Sequence, residues 1–307
     1  MFEDVPDRLV RFVRDHLLEE SKTNRDLMYL EAAGGVIREY TGKAVFESGV
    51  DKFFNATVAN EAGDLSAHYP LNVLRLADAL FTLRRSPGFS EICRRFMGRD
   101  LRSTYFEVSV ARRFADNGAS LDFRAETGKK GEDFDFAAAV GSETVNVEVT
   151  ALTAPSFSTN TIENALNTKR KQLPPTKPAA IFCIMPEAWA HQGVNLNAET
   201  YNIPQKFFKS TGRINVVEFM QEYHLDFVSD GSRGAFAVIG KPYRNPNPRY
   251  ATTLFDFLFI ESPDQIMRRQ SMALARTLPP DSPVLNELTR AFQKSEFYVW
   301  VNSLHPT

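Results

Sequence analysis

The chain is poor in the residues that mark several common chemistries. Only two cysteines, Cys93 and Cys183, occur in 307 residues, far apart and without a CxxC pair or an adjacent histidine. That excludes a disulfide framework and a cysteine zinc cluster, and it fits a reducing compartment. The five histidines, at 16, 68, 191, 224 and 305, show no metal-ligand spacing. "TGKKGED" and "TGKA" combine glycine and lysine without the spacing of a phosphate-wrapping loop, and neither Ser109 nor Ser142 sits in a nucleophile-elbow setting. No apolar run is long enough to span a bilayer, and the opening "MFEDVPDRLVRFVRDHLLEE" lacks the apolar core of a signal peptide. A cytoplasmic protein with no membrane partner is expected.

Nor is there a strong charge of one sign. A formal net charge of -2 gives no global signature of nucleic-acid binding. Charge is uneven, however: from Arg75 to Lys130, twelve Lys or Arg stand against seven Asp or Glu. The pairs Arg84/Arg85, Arg94/Arg95, Arg112/Arg113 and Lys129/Lys130 fall within this stretch. Such a stretch forms either the solvated faces of helices or a surface for phosphates.

Apolar residues are plentiful, at 43% of the chain with 25 phenylalanines, enough for a sizeable core. Apolar residues at three-to-four spacing predict helices over "VPDRLVRFVRDHLLEE", "RDLMYLEAAGGVIREYTG" and "PLNVLRLADALFTLRR", then from about Leu101 to Asp116. The period then changes. "SLDFRAE", "DFDFAAAV" and "TVNVEVTAL" read as strands, with Gly141-Ser142 turning between the last two. A helix from about Thr161 to Leu173 and a strand "AAIFCIMP" follow. The remainder reads as a long polar excursion at 187–213, a helix around "INVVEFMQEY", and strands at "GAFAVIG", "TLFDFLFIES" and "EFYVWVNSL". The expected organisation is a helical N-terminal region, 1–100, and an α/β domain, 101–307, with a mixed central sheet flanked by helices.

The chemistry concentrates in "GEDFDFAAAVGSETVNVEVTAL", residues 131–152. Strand alternation puts Asp133 and Asp135 on one face and Phe134 and Phe136 on the other. On the next strand Asn146, Glu148 and Thr150 oppose Val145, Val147 and Val149. Paired as a hairpin, the strands bring one or both aspartates to Glu148, an oxygen-ligand set of the kind Mg²⁺ takes. In "YFEVSVARRFADNG", Glu107 shares the apolar stripe of its helix with Ala111 and Phe114, so its carboxylate needs a partner. An ion pair with an arginine or a place beside the other acids would each supply one.

The run from Tyr105 to about Pro186 resembles the core of the PD-(D/E)XK nuclease superfamily, whose fold is restriction-endonuclease-like. Glu107 matches the family's helix acid, Asp133 or Asp135 its strand aspartate, with Asp135 the preferred match, and Glu148 the acid of its third motif. The resemblance implies a metal-dependent nuclease using Mg²⁺ or Mn²⁺ on DNA or RNA, with Asp135, Asp133, Glu148 and Glu107 as the metal set. Thr150 stands where that motif has lysine. Ile162, Leu166, Lys169 and Leu173 recur at helical spacing, so Lys169 faces inward and is the candidate for a relocated cation, beside Asp135, Glu148 and Glu107 in the catalytic set. The alternative is a catalytically inactive module that binds nucleic acid or a protein partner. The sequence leaves a homo-oligomer open.

Overall fold

The change of hydrophobic period after Asp116 marks where helices give way to a sheet. In the computed structural model, which describes residues 2–20, 25–43, 68–98, 101–186, 188–189, 192, 194, 196–226, 234–259 and 295–304, five helices precede the first strand. They are α1 (Asp7–Glu20), α2 (Arg25–Thr41), α3 (His68–Leu83), α4 (Phe89–Gly98) and α5 (Leu101–Asp116). Then come β1 (Ser120–Phe123), β2 (Phe136–Val140), β3 (Glu143–Ala151), α6 (Thr159–Gln172) and β4 (Ala179–Met185). The chain continues through α7 (Leu196–Thr200), α8 (Asn202–Lys209), β5 (Ile214–Asp226), β6 (Gly234–Arg244) and α9 (Glu296–Leu304).

The strands lie side by side in chain order, β1 to β6. The pairs β1/β2 and β2/β3 are antiparallel, β3/β4 and β4/β5 parallel, and β5/β6 antiparallel. Gly141, at φ 58°, makes the tight β2–β3 turn. Because β3 and β4 run the same way, the chain must cross back between them, and α6 is that crossover. The fold is therefore α/β, a six-stranded mixed sheet flanked by helices, as the sequence predicts.

Two apolar layers hold it. On one face Phe136, Val145, Val147, Val149 and Phe182 pack in one cluster with Val110 and Phe114 of α5, and that cluster continues through Leu80, Phe81 and Ile37 to Leu9 and Trp300. On the other face Ala137, Ile181, Cys183 and Met185 pack with Ile162 and Leu166 of α6 and Phe207 of α8. Every residue of β4 is buried, as a central strand covered on both sides requires. Among the described residues no helix is long and apolar enough to cross a membrane.

The structure corrects several element readings. "INVVEFMQEY" is strand β5 rather than a helix: Val216, Val217, Phe219 and Met220 are buried on both sides of the sheet, and a doubly covered strand loses the alternation that would identify it. "EFYVWVNSL" is helix α9 rather than a strand, with Phe297, Tyr298, Trp300 and Val301 on one buried side. "TLFDFLFIES" turns through a short 3₁₀ segment, Asp256–Leu258, and its last residues lie outside the described ones. Its start is pinned by Glu143, whose carboxylate accepts from Thr252 Oγ1 and from Thr253 N and Oγ1. The polar excursion contains α7 and α8. Helix α4 has no counterpart in the sequence reading.

Candidate active site

Both β1 and β2 stop at the pair Phe123 and Phe136, and the chain before Phe136 leaves the sheet. Asp135 manages this end. Its N–H donates to Val147 O at 3.2 Å, its carbonyl accepts from Arg124 N at 3.1 Å, and its Oδ2 accepts from Val149 N at 2.7 Å. The carboxylate thus continues the ladder where the β2 backbone no longer can. The ladder ends at Phe136 opposite Val147, and the bond from Val149 N holds the Asp135 carboxylate at the next residue along from Glu148, near enough for its charge to act on Glu148. Both are buried, at 5% and 1% exposure.

Lys169 reaches this pair from α6. Ser158 caps the helix by accepting from Thr161 N, which fixes its phase, and Ile162 and Leu166 are buried beneath it. The Lys169 side chain keeps 23% exposure, and its Nζ lies 2.5 Å from Glu148 Oε1. Lys171, two positions on, is exposed. The second Glu148 oxygen, Oε2, is buried without any hydrogen-bond partner. Burial, then the neighbouring Asp135 carboxylate, pushes the Glu148 pKa well above the carboxylate range, while Lys169 pulls it the other way. Burial also works against the Lys169 ammonium, but Glu148, Asp135 and Glu107 outweigh it and raise its pKa, so the lysine keeps its proton.

Glu107 comes from α5 on the opposite side of the sheet and is 3% exposed. Its Oε2 accepts from Arg95 Nη1 at 2.8 Å, and the same nitrogen reaches Asp135 Oδ1 at 3.2 Å. Arg95 also donates through Nη2 to Arg124 O. This guanidinium is buried at 4% exposure, and it is the functional residue that sequence reasoning missed. Read as half of a surface pair with Arg94, it is in fact in register with Ile92 and Phe96 on the buried side of α4. That three-to-four spacing was the available signal.

Among the expected site residues, the structure therefore joins Asp135, Glu148, Lys169 and Glu107. Asp133 stands apart from them in its bonding. Residues 131–135 are not strand, so Asp133 does not alternate with Asp135, and its Oδ1 accepts from Thr127 N at 2.6 Å and Thr127 Oγ1 at 2.9 Å, tying down the preceding loop. Thr150 follows Glu148 on the same face of β3, half-buried. Arg102 of α5 donates to Leu152 O and Met185 O, holding together the ends of β3 and β4 beside the site.

The basic stretch from Arg75 to Lys130 is mostly paired. Arg84 and Arg85 meet Asp4 and Glu296, Arg112 meets Asp78 and Asp116, and Arg113 meets Glu218. Those arginines brace helices rather than present a phosphate surface.

The four groups can do two things chemically. Carboxylate oxygens of Asp135 and Glu148 suit a hard cation, and the unpartnered Glu148 Oε2 is the oxygen with capacity to spare. The lysine supplies a fixed positive charge next to them. Among the described residues, no three His, Cys, Asp or Glu side chains stand together as a ready metal-holding group, and Arg95 lies between Glu107 and Asp135. The chain matches no protein-family model, no curated protein and no solved structure.

Proposed function

We propose that this chain is a divalent-cation-dependent phosphodiester hydrolase acting on DNA or RNA, a divergent PD-(D/E)XK nuclease whose lysine has moved from the strand to helix α6. The observation that carries this reading is the contact of Lys169 Nζ with Glu148 Oε1 at 2.5 Å, on a strand whose next residue, Val149, donates its N–H to the Asp135 carboxylate. It restores an aspartate, a glutamate and a lysine to one site although Thr150 occupies the strand position. The order α5, β2, β3, α6, β4 matches the helix, strand, strand, helix, strand that the family resemblance implies.

Asp135 and Glu148 would hold Mg²⁺ or Mn²⁺, and the buried, unpartnered Glu148 Oε2 fits that role. When bound, the ion would neutralise charge on a phosphodiester. Lys169 retains its proton and so acts as a cation and hydrogen-bond donor, offsetting charge that builds on the phosphate. It is not a base at neutral pH. Glu107 acts through Arg95, holding the guanidinium against Asp135.

Arg95 supports a second reading, that the chain is an inactive nuclease-like module binding nucleic acid or a protein. A buried guanidinium already compensates Glu107 and Asp135, which a site built for a metal need not contain. Calorimetric titration with Mn²⁺ separates the two. Under the nuclease reading the wild type binds Mn²⁺, Glu148→Ala does not, and only the wild type cleaves labelled oligonucleotides. Equal heats from both proteins, with no cleavage, would favour the inactive module.

A further inference from the structure

The C-terminal end of α6 carries a second cluster of charge. Arg170, one residue beyond Lys169, donates through Nη1 to Ser210 O at 3.2 Å and Ser210 Oγ at 2.9 Å. Arg213 donates through Nη2 back to Arg170 O. Arg249 is held against the same loop by its backbone N–H, which donates to Gly212 O at 2.6 Å. Three arginines thus come together from α6, the turn before β5 and the segment after β6, Arg249 by its backbone.

Among the described residues no acid answers them. None of the ion pairs among the described residues involves Arg170, Arg213 or Arg249. The nearby Lys206 has its own partner, Glu163. This differs from the arginine pairs on the helical side, each of which meets a carboxylate. Like charges brought together cost free energy, and the strain registers on Arg213, whose pKa is pushed down first by burial and then by the Arg170 and Arg249 charges. The helix dipole explains why a cation would cap α6, and Arg213 does so through Arg170 O. It does not explain Arg249, whose side chain makes no hydrogen bond among the described residues. A cluster of guanidiniums without carboxylate partners among the described residues concentrates positive potential and presents planar forks that match phosphate oxygens.

We propose that Arg170, Arg213 and Arg249 form a binding patch for the phosphodiester backbone of nucleic acid. The patch is scaffolded by the segment following α8, and one of its members, Arg170, is on the same helix as the site lysine. The identity of the ligand rests on the nuclease reading; the existence of an anion patch does not. Phosphates gripped here would align the strand along α6 toward Lys169 and Glu148. Phosphate contacts of this kind position a nucleic acid without reading its sequence, so binding is sequence-tolerant and salt-dependent.

The test is fluorescence anisotropy of a labelled 20-nucleotide DNA, single-stranded and duplex, on the full chain in EDTA, so that binding is read without cleavage. The triple variant Arg170→Gln/Arg213→Gln/Arg249→Gln should bind at least tenfold more weakly at low salt. The slope of log affinity against log salt should fall by roughly 2 to 3, about 0.7 to 0.9 for each phosphate no longer neutralised. A control triple, Arg8→Gln/Arg85→Gln/Arg94→Gln, removes the same charge from arginines that have acidic partners, and should leave the slope unchanged. If the patch triple does not fold, Arg249→Gln alone, at an exposed residue, should lower the slope by roughly 1. An unchanged slope in both patch variants, an equal weakening in the control, or no binding by the wild type would overturn the patch. So would polyglutamate displacing the DNA as effectively as unlabelled DNA does, which would point to an acidic protein instead. Patch-dependent binding without metal-dependent cleavage would sink the hydrolase reading and leave the patch standing.

Discussion

Lys169 Nζ and Glu148 Oε1 are 2.5 Å apart although 21 residues separate them, one on helix α6 and one on strand β3. This contact answers the puzzle of Thr150: the cation that a strand lysine would bring arrives from the helix. Lys169→Ala should therefore lower Mn²⁺-dependent cleavage of an oligonucleotide by on the order of a hundredfold or more, the usual loss when one preorganised stabilising group is removed. Thr150→Ala should stay within severalfold of wild type. Thr150→Lys added to Lys169→Ala should recover part of the loss, since both positions face Glu148. Initial rates on one substrate decide, and a fully active Lys169→Ala would reject the relocation.

Glu148 gives a prediction with a pH sign. Unfolded, its carboxyl titrates near ~4.3; folded, burial and Asp135 raise that value well above the ordinary one. Between the two the folded state binds more protons than the unfolded state, so stability falls as pH rises through that window. Glu148→Gln keeps an acceptor for Lys169 and removes the titration. Its melting temperature in EDTA should gain on wild type more at pH 8 than at pH 4, by calorimetry, with metal-dependent cleavage abolished. A gain that is equal at both pH values, or a variant that still cleaves, contradicts the assignment.

Arg95 is the group whose loss should hurt the fold most. Removing it takes the shared guanidinium from two buried carboxylates, Glu107 and Asp135, and breaking a buried pair costs about 3 to 5 kcal/mol. Arg95→Met should lose that much in urea denaturation. Glu107→Gln added to it should restore part of the loss, because one of the two carboxylates that lost the guanidinium is gone. Additive losses would mean that the two side chains do not act together.

The two thiols should be chemically silent. Burial pushes both Cys93 and Cys183 up to about 12, so almost no thiolate is present at pH 8, and thiolate is the reactive form. A thiol-specific disulfide reagent at pH 8 should find no fast-reacting cysteine in the folded protein and two after denaturation. Rapid labelling before unfolding would contradict the burial.

Gly88 tests how the helical half meets the sheet. Its φ of +70° is one that L side chains avoid, and a Cβ there would come 2.1 Å from Phe123 O. Phe123 N in turn donates to Pro87 O at 3.0 Å. Gly88→Ala should destabilise by more than about 1 kcal/mol, the cost of the left-handed conformation alone, as measured by urea denaturation. A neutral substitution would mean that the turn yields freely.

Local pattern sufficed for what is local. Helix α5 ends where Asn117-Gly118 stops it, β3 shows the alternation of a strand, and the spacing of Ile162, Leu166 and Lys169 already turned the lysine inward. Alternation plus one turn also implied the β2–β3 hairpin, whose register follows from its loop, but the strand begins only at Phe136 and the Asp135 carboxylate reaches β3 through Val149 N instead. Sequence could not separate Asp133 from Asp135. The difference lies in a hydrogen bond to Thr127 and in a strand that begins only at Phe136. Strand β5 escaped for a related reason: its period vanishes once both faces are covered, and only the neighbours β4 and β6 reveal that. The spacing with Ile92 could turn Arg95 inward, but its partners, like the cluster of Arg170, Arg213 and Arg249, are products of tertiary structure. Their partners, or the lack of them, come from segments distant in sequence, and a charge's worth is set by what stands within a few ångströms of it rather than by its place in the chain.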